Sequence, residues 1–259
     1  MSTPKIVRFE PHGPAGRGLQ RLEDIPADQL TAGTPVQRGH GYLDVEDLGL
    51  SAGVWDCTPM TTKPGPYPVH EFMLVLEGGV TIVEEGGRET TIRAGESFIL
   101  PKGLRCAWKQ TGYMRKFYVI FDDPSGAAAP DPAALAVIRP DPSAALAPME
   151  VDPAPILGPL PKQHARSWFA DPTGQWSVGI WDATPYERKV APFPRYELMH
   201  LLEGSVTLTD GQGGGQTFRA GDTFLVPLGA PCGWKSTEYV RKIYCTFEPK
   251  IAAAAALSA

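Results

Sequence analysis

The sequence predicts an all-β protein built from one small barrel or sandwich made twice. Three observations carry this reading. The chain matches itself at an offset of 126, short apolar runs alternate with turn residues, and glycine and proline are abundant, 28 and 27 of 259 residues. Glycine and proline at this density break a chain into turns and short strands. Strand-like runs spaced roughly eight to twelve residues apart are the pattern of a sandwich or barrel.

The self-match is the strongest signal. Trp55-Asp56-Cys57-Thr58-Pro59 meets Trp181-Asp182-Ala183-Thr184-Pro185, and Glu71 meets Glu197. Leu76-Glu77-Gly78 meets Leu202-Glu203-Gly204, and Arg93-Ala94-Gly95 meets Arg219-Ala220-Gly221. Cys106 and Trp108 meet Cys232 and Trp234, and Arg115-Lys116 with Tyr118 meets Arg241-Lys242 with Tyr244. From Trp55 to Phe121 the match needs no gap, and about 31 of 67 positions are identical. Such self-similarity marks a duplication of one structural unit.

The strands follow in order within the first copy. Glu71 to Leu76 is a run of strand formers closed by Glu77-Gly78-Gly79, and Val80 to Val83 follows. After the Glu85-Gly86-Gly87-Arg88 turn come Thr90 to Arg93, Ser97 to Leu100, Leu104 to Lys109 and Tyr113 to Phe121. The stretch from Leu19 to Leu30, interrupted by Pro26, reads as at most one or two helical turns. Asp56-Cys57-Thr58-Pro59 reads mainly as a turn capped by its aspartate, and Trp55 and Trp181 as core.

Outside the central block the match is looser. Ile6-Val7-Arg8 resembles Val137-Ile138-Arg139, and the surroundings of His40 resemble those of His164. The expected organisation is a first barrel over 1–125, a linker at 126–132 and a second barrel over 133–259. The Pro/Ala/Asp-rich connector suits an extended spacer.

Composition excludes several classes. With 42% hydrophobic and 20% charged residues the chain is globular, and its net charge of -5 offers no basic surface for nucleic acid. No apolar stretch approaches the ~20 residues of a membrane helix, and the first residues lack the apolar core of a secretory signal. Cys57, Cys106, Cys232 and Cys245 form no CxxC pair, so reduced thiols and a cytoplasmic location are expected. The alanine-rich end from Ile251 reads as a frayed tail.

The motif residues resemble a known family. Glu71 to Gly78, then Ala94 to Gly103, are similar to the two cupin motifs, and Glu197 to Gly204 with Ala220 to Gly229 repeat them. Gly53-Val54-Trp55-Asp56 and Arg115-Lys116-Phe117-Tyr118 resemble the branch of bicupins that holds ureidoglycine aminohydrolases and ethanolamine-utilisation cupins. The resemblance implies two tandem double-stranded β-helix (jelly-roll) barrels, each able to hold one small ligand.

Metal-binding members of that superfamily carry two histidines shortly before the first-motif glutamate and a third in the second motif. If Glu71 is that glutamate, the histidine positions fall within Lys63 to Pro66, and the second-motif position is Cys106. The other copy has Lys189 to Pro192 and Cys232 there. No metal or other cofactor is therefore expected, with a divalent ion kept as the alternative. Strand parity turns His70 away from the face of Glu71, Met73 and Val75, and turns His200 away from that of Glu197. A bulge would defeat this argument.

The same parity nominates a polar interior. Glu71 and Lys116, with Glu197 and Lys242, are the candidate catalytic pairs, since buried opposite charges must pair or shift their pKa. Cys106, Trp108 and Tyr118 in one copy, and Cys232, Trp234 and Tyr244 in the other, are the candidate ligand-binding groups. With no histidine on their face to activate them as nucleophiles, the two cysteines read first as small buried core residues. Arg195 occurs only in the second copy and is the candidate clamp for a carboxylate.

The expected function is a cupin-type enzyme, a hydrolase or isomerase, acting on a small polar metabolite such as a ureide, amino acid derivative or sugar acid. The alternatives are a non-catalytic small-molecule binder and a structural bicupin, with the glutamate–lysine pairs as braces. Neither nucleic acid nor membrane is an expected partner, and homodimerisation through sheet edges stays open.

Overall fold

The computed structural model describes residues 3–124 and 134–250, which contain strands, turns and short 3-10 segments and no α-helix. It divides into two compact units, Val7–Ala144, and Met1–Ile6 together with Ala145–Ala259. Both belong to the expected all-β class.

In the first unit one sheet runs in the order Ser97–Leu100, His70–Glu77, Met114–Phe121, Leu50–Cys57, Gln37–Val45, Gln20–Arg21. The opposing sheet runs Glu89–Arg93, Gly79–Glu84, Arg105–Gln110, Met60–Thr62, Leu30–Ala32. All these pairings are antiparallel. The second unit repeats the plan. Thr223–Val226, Tyr196–Glu203, Val240–Phe247, Trp176–Ala183, Gln163–Ala170 and Ala147–Met149 are neighbours in one sheet. Ile156–Leu157, Tyr186–Pro192, Pro231–Ser236, Ser205–Thr209 and Gly215–Arg219 form the other.

The inward faces follow from the pleat. In Gly79–Glu84 burial alternates, with Val80, Ile82 and Glu84 inside. These meet Met73, Val75, Phe98, Leu100, Cys106 and Trp108 in one core. Met199, Leu201, Val206, Leu208, Phe224, Val226, Cys232 and Trp234 form its counterpart. The strand carrying Glu71 ends at Gly78, whose φ of 71° sets the tight turn into the facing sheet. A Cβ there would stand 1.9 Å from the Tyr113 carbonyl oxygen, and one at Gly204 would stand 2.0 Å from that of Tyr239.

Three expectations need correction. The division lies later than the one expected at 126–132, a segment outside the described residues. Ile138 exchanges two backbone hydrogen bonds with Ile99 (2.8 and 3.1 Å), and Leu135 and Val137 pack on the first core. Ile6, the sequence match of Val137, packs instead on the second core. Each of these apolar segments thus covers the barrel that does not follow it in the chain.

Leu19 to Leu30 holds a strand, Gln20–Arg21, and one 3-10 turn, Ala27–Gln29, within the one or two turns expected. Asp56 caps no turn; it lies inside Leu50–Cys57, 1% exposed, and accepts from both Arg38 (2.9 and 3.1 Å) and the Tyr113 hydroxyl (2.7 Å). The partner of His164 across the repeat is Arg38, not His40. His164 Nδ1 lies 2.7 Å from Asp182 just as Arg38 binds Asp56, and Gln163 and Gln37 each accept from the Trp181 or Trp55 indole. The Ile251 tail lies outside the described residues. Among the described residues no helix is long and apolar enough to cross a membrane.

Candidate functional site

Parity delivers the expected groups to the inside of each barrel. Lys116 stands opposite Trp55 in the Met114–Phe121 to Leu50–Cys57 ladder, and Trp108 opposite Ile82 in the facing sheet. A bulge does occur in the pairing of Met114–Phe121 with His70–Glu77, between Arg115 and Lys116. It falls short of the Glu71 end, so Glu71 and Lys116 still converge. The second copy has its irregularity at the matching place, between Leu201 and Glu203.

Lys116 Nζ donates to Glu71 Oε1 at 2.6 Å and lies 3.0 Å from Met73 Sδ. It also stands 5.0 Å from the ring centroids of both Trp55 and Trp108. Those indoles meet edge to face, 6.1 Å apart. The second copy reproduces every part: Lys242 to Glu197 at 2.7 Å, to Met199 Sδ at 3.2 Å, and to Trp181 and Trp234 at 4.8 and 5.3 Å. Each ammonium therefore sits in a cage of one carboxylate, one thioether and two indole faces. Desolvated cation–π contacts of this kind strengthen as water is excluded.

The copies differ at the second carboxylate oxygen. In the first barrel the Tyr67 hydroxyl donates to Glu71 Oε2, and this half-buried phenol is held well above its ordinary pKa by desolvation and by Glu71. In the second barrel Phe193 replaces Tyr67, and Arg195 Nε donates to Glu197 Oε2 at 3.2 Å. Burial pushes the Glu197 carboxyl up, but the Lys242 ammonium and Arg195 outweigh it and hold the group below the usual carboxylate range. Burial lowers the Lys242 pKa, and Glu197 restores it only in part, with Arg195 and Arg188 opposing.

Both barrels enclose cavities. The second holds about 420 Å³, bordered by Glu197, Met199, Lys242, Tyr244, Trp181 and Trp234, together with Tyr186, Arg188, Phe193 and Arg195. The first holds about 480 Å³, bordered by Trp55, Trp108, Met60, Tyr67, Ile82, Leu100, Cys106 and Lys116. Tyr118 and Tyr244 lie against Gly53 and Gly179, where a Cβ would come within 2.7 and 2.3 Å of their hydroxyl oxygens. Burial pushes the Tyr118 phenol up to about 12. Cys106 and Cys232 are buried thiols pushed up by desolvation, Cys106 to about 11, so neither is an activated nucleophile. His70 and His200 point elsewhere: His70 Nδ1 accepts the Lys102 N–H, and His200 Nδ1 lies 2.9 Å from the Thr223 hydroxyl. Trp55 and Trp181, expected as core, are also cavity walls.

Sequence reasoning missed Tyr67, Tyr186, Arg188 and the two methionines. Tyr186 and Arg188 share one face of Tyr186–Pro192 by period two, and Arg188 pairs with Trp234 in the ladder. Tyr186 and Arg188 differ from their counterparts Met60 and Thr62, so self-matching concealed them.

The EutQ-like cupin domain matches the chain twice, over residues 46–118 and 170–244, more than half its length. The chain belongs to the EutQ-like cupin family. The bicupin resembles a DUF861-family protein of unknown function from Pseudomonas syringae pv. tomato, with 29% identity and a TM-score of 0.75 over 94% of this chain and 99% of that one. It shares its fold with YlbA of E. coli, also of DUF861 (10% identity, TM-score 0.55, covering 97% of this chain and 94% of that one). The same holds for a salicylate 1,2-dioxygenase from Pseudaminobacter salicylatoxidans (15%, 0.51, covering 82% and 76%). No curated protein matches the sequence.

The donor set of these cages does not fit a metal ion. Each carboxylate is already neutralised by an ammonium, each thiol is held protonated, and no imidazole faces inward. Among the described residues no group of three or more His, Cys, Asp or Glu could hold a metal ion.

Proposed function

We propose that the C-terminal barrel of this bicupin is a metal-independent enzyme site for a small metabolite bearing a carboxylate. The observation that carries the reading is Arg188. Its guanidinium borders the cavity 5.6 Å from the Phe193 ring, and no carboxylate among the described residues stands within ion-pair distance of it. Inside the cavity Lys242, Arg188 and Arg195 face a single buried carboxylate, Glu197, while Glu150, Asp152 and Glu248 stand at the exposed rim. Rim charges are screened by water, whereas buried ones act at close to full strength. An anion entering this cavity meets Arg188, whose guanidinium touches the Cys232 thiol but keeps donors that no carboxylate has taken, with Tyr186 and Trp234 stacked 5.7 Å apart as a flat wall.

Arg195, the clamp expected from sequence, spends its Nε on Glu197 and pairs through Nη1 with Glu248. Its work is to hold Glu197 ionised; the clamp passes to Arg188. Lys242, with its lowered pKa, is the proton donor, and Glu197 is the fixed anion that positions it and can take a proton back. Hydrolysis or isomerisation of a ureide, amino acid derivative or sugar acid uses such a pair. The branch of ureidoglycine-aminohydrolase-like cupins is consistent with this substrate class, and four buried free thiols fit a cytoplasmic setting.

A thermal-shift screen of small carboxylic acids against matched amides and amines tests the proposal, because ligand stabilisation follows mass action. Acids should raise the unfolding temperature, Arg188→Met should abolish the shift, and Arg188→Lys should restore part of it. Lys242→Met should lose turnover of any acid so identified. Shifts that ignore ligand charge, or survive Arg188→Met, overturn the reading.

A further inference from the structure

We infer that the N-terminal barrel is a second, separate ligand site that takes a neutral ring compound rather than an anion. The cage is the same, but every group that makes the other cavity cationic has been replaced. Across the repeat Tyr186 corresponds to Met60, Arg188 to Thr62 and Arg195 to Val69. The Thr62 hydroxyl is already engaged as acceptor for the Trp108 N–H at 2.9 Å.

The buried charges that remain cancel. Glu71 is occupied on both oxygens, by Lys116 and by the Tyr67 hydroxyl, and it does not border the cavity. Lys116 does border it, but its charge is matched by a carboxylate 2.6 Å away. A carboxylate ligand would have to lose its water with no second buried cation to receive it, since the other lysine bordering the cavity, Lys63, is exposed beside the equally exposed Asp28, and burial of an unpaired charge is strongly disfavoured. A neutral ligand meets no such barrier.

What is left is an apolar box. Trp55, Trp108, Tyr67, Met60, Ile82 and Leu100 wall it, with Pro64, Pro66 and Pro68 at the mouth. Its volume of about 480 Å³ is roughly three times that of the ~150 Å³ apolar cavity known to take up benzene. The edge-to-face indoles offer one flat wall and one edge, an arrangement that receives a planar ring. The Lys116 ammonium, the one buried cation of the lining, can donate to one carbonyl or ether oxygen on that ring.

The test uses benzamide and benzoate, equal in size and differing in charge, on the full chain. Binding is followed by titration, and its place by hydrogen–deuterium exchange of peptides covering 60–68 and 105–110. Benzamide should protect those peptides and bind at least about tenfold more tightly than benzoate. Met60→Trp, which fills part of the box, should abolish that protection. Thr62→Arg, which installs the missing cation, should reverse the preference toward benzoate. Protection of 186–195 and 231–236 instead, equal binding of the two probes, no binding of either, or unchanged preference in Thr62→Arg would overturn the inference. Because the readout lies in the first barrel, it is independent of the anion site in the second.

Discussion

Replacing the caged lysine by methionine should cost much more stability in the first barrel than in the second. The side chains are alike in length, so the variant removes charge with little change in packing. In Lys116→Met, Glu71 is left 5% exposed with one neutral partner, the Tyr67 hydroxyl. Breaking a buried pair by deleting one partner costs about 3–5 kcal/mol, because the surviving charge is stranded. In Lys242→Met, Glu197 is similarly buried but keeps the Arg195 guanidinium at 3.2 Å. A hydrogen bond to a charged group is worth about 1.5–3 kcal/mol, so the loss should fall to about 1–3 kcal/mol. Calorimetry that resolves the two barrels, or urea unfolding followed by exchange of peptides from each, gives both values. At roughly 4 °C per kcal/mol for domains of this size, the first variant should melt about 12–20 °C lower. The double variant Glu71→Gln with Lys116→Met removes both charges and should recover at least half of the loss. If Lys242→Met costs as much as Lys116→Met, or the double variant recovers nothing, the account of the two cages is wrong.

Three further outcomes follow from the geometry. Burial pushes His200 down from 6.5 to about 4, so between those values the unfolded chain binds the extra proton. Stability should therefore fall as pH drops from about 6.5 to 4, by on the order of 2–3 kcal/mol after allowance for partial exposure. His200→Gln should flatten that slope in pH-dependent urea titrations, and a slope unchanged by the substitution refutes the assignment. Cys57 and Cys106, both raised to about 11 by burial, should react with iodoacetamide at pH 8 about a hundredfold more slowly than an ordinary thiol; labelling at the free-thiol rate would show them to be activated. Gly53→Ala places a methyl 2.4 Å from the His40 carbonyl oxygen and 2.7 Å from the Tyr118 hydroxyl. It should destabilise the first barrel by about 1–3 kcal/mol, an overpacking cost, and a neutral effect on the melting temperature would contradict the close approach of Tyr118.

Much of this protein was determined by its sequence alone. The period-two alternation and the gapless repeat defined two all-β units, the strand from Glu71 to Glu77 and its copy, and the convergence of Glu71 with Lys116 and Glu197 with Lys242. Parity is a local property of extended backbone, so it survives translation from sequence to structure wherever no bulge intervenes. Other features required the tertiary fold. Val137 and Ile6 resemble one another, yet each covers the opposite barrel, because an apolar segment joins whichever open edge it reaches in space. Asp56 looked like a turn cap and proved to be a buried acceptor for Arg38 and Tyr113, contacts made across strands and invisible in local pattern. Above all, the different chemistry of the two cavities rests on Tyr67, Arg188 and Arg195 meeting, or failing to meet, a carboxylate. Which charges are spent on one another is decided by distances of a few ångströms between segments far apart in the chain, and only packing sets those.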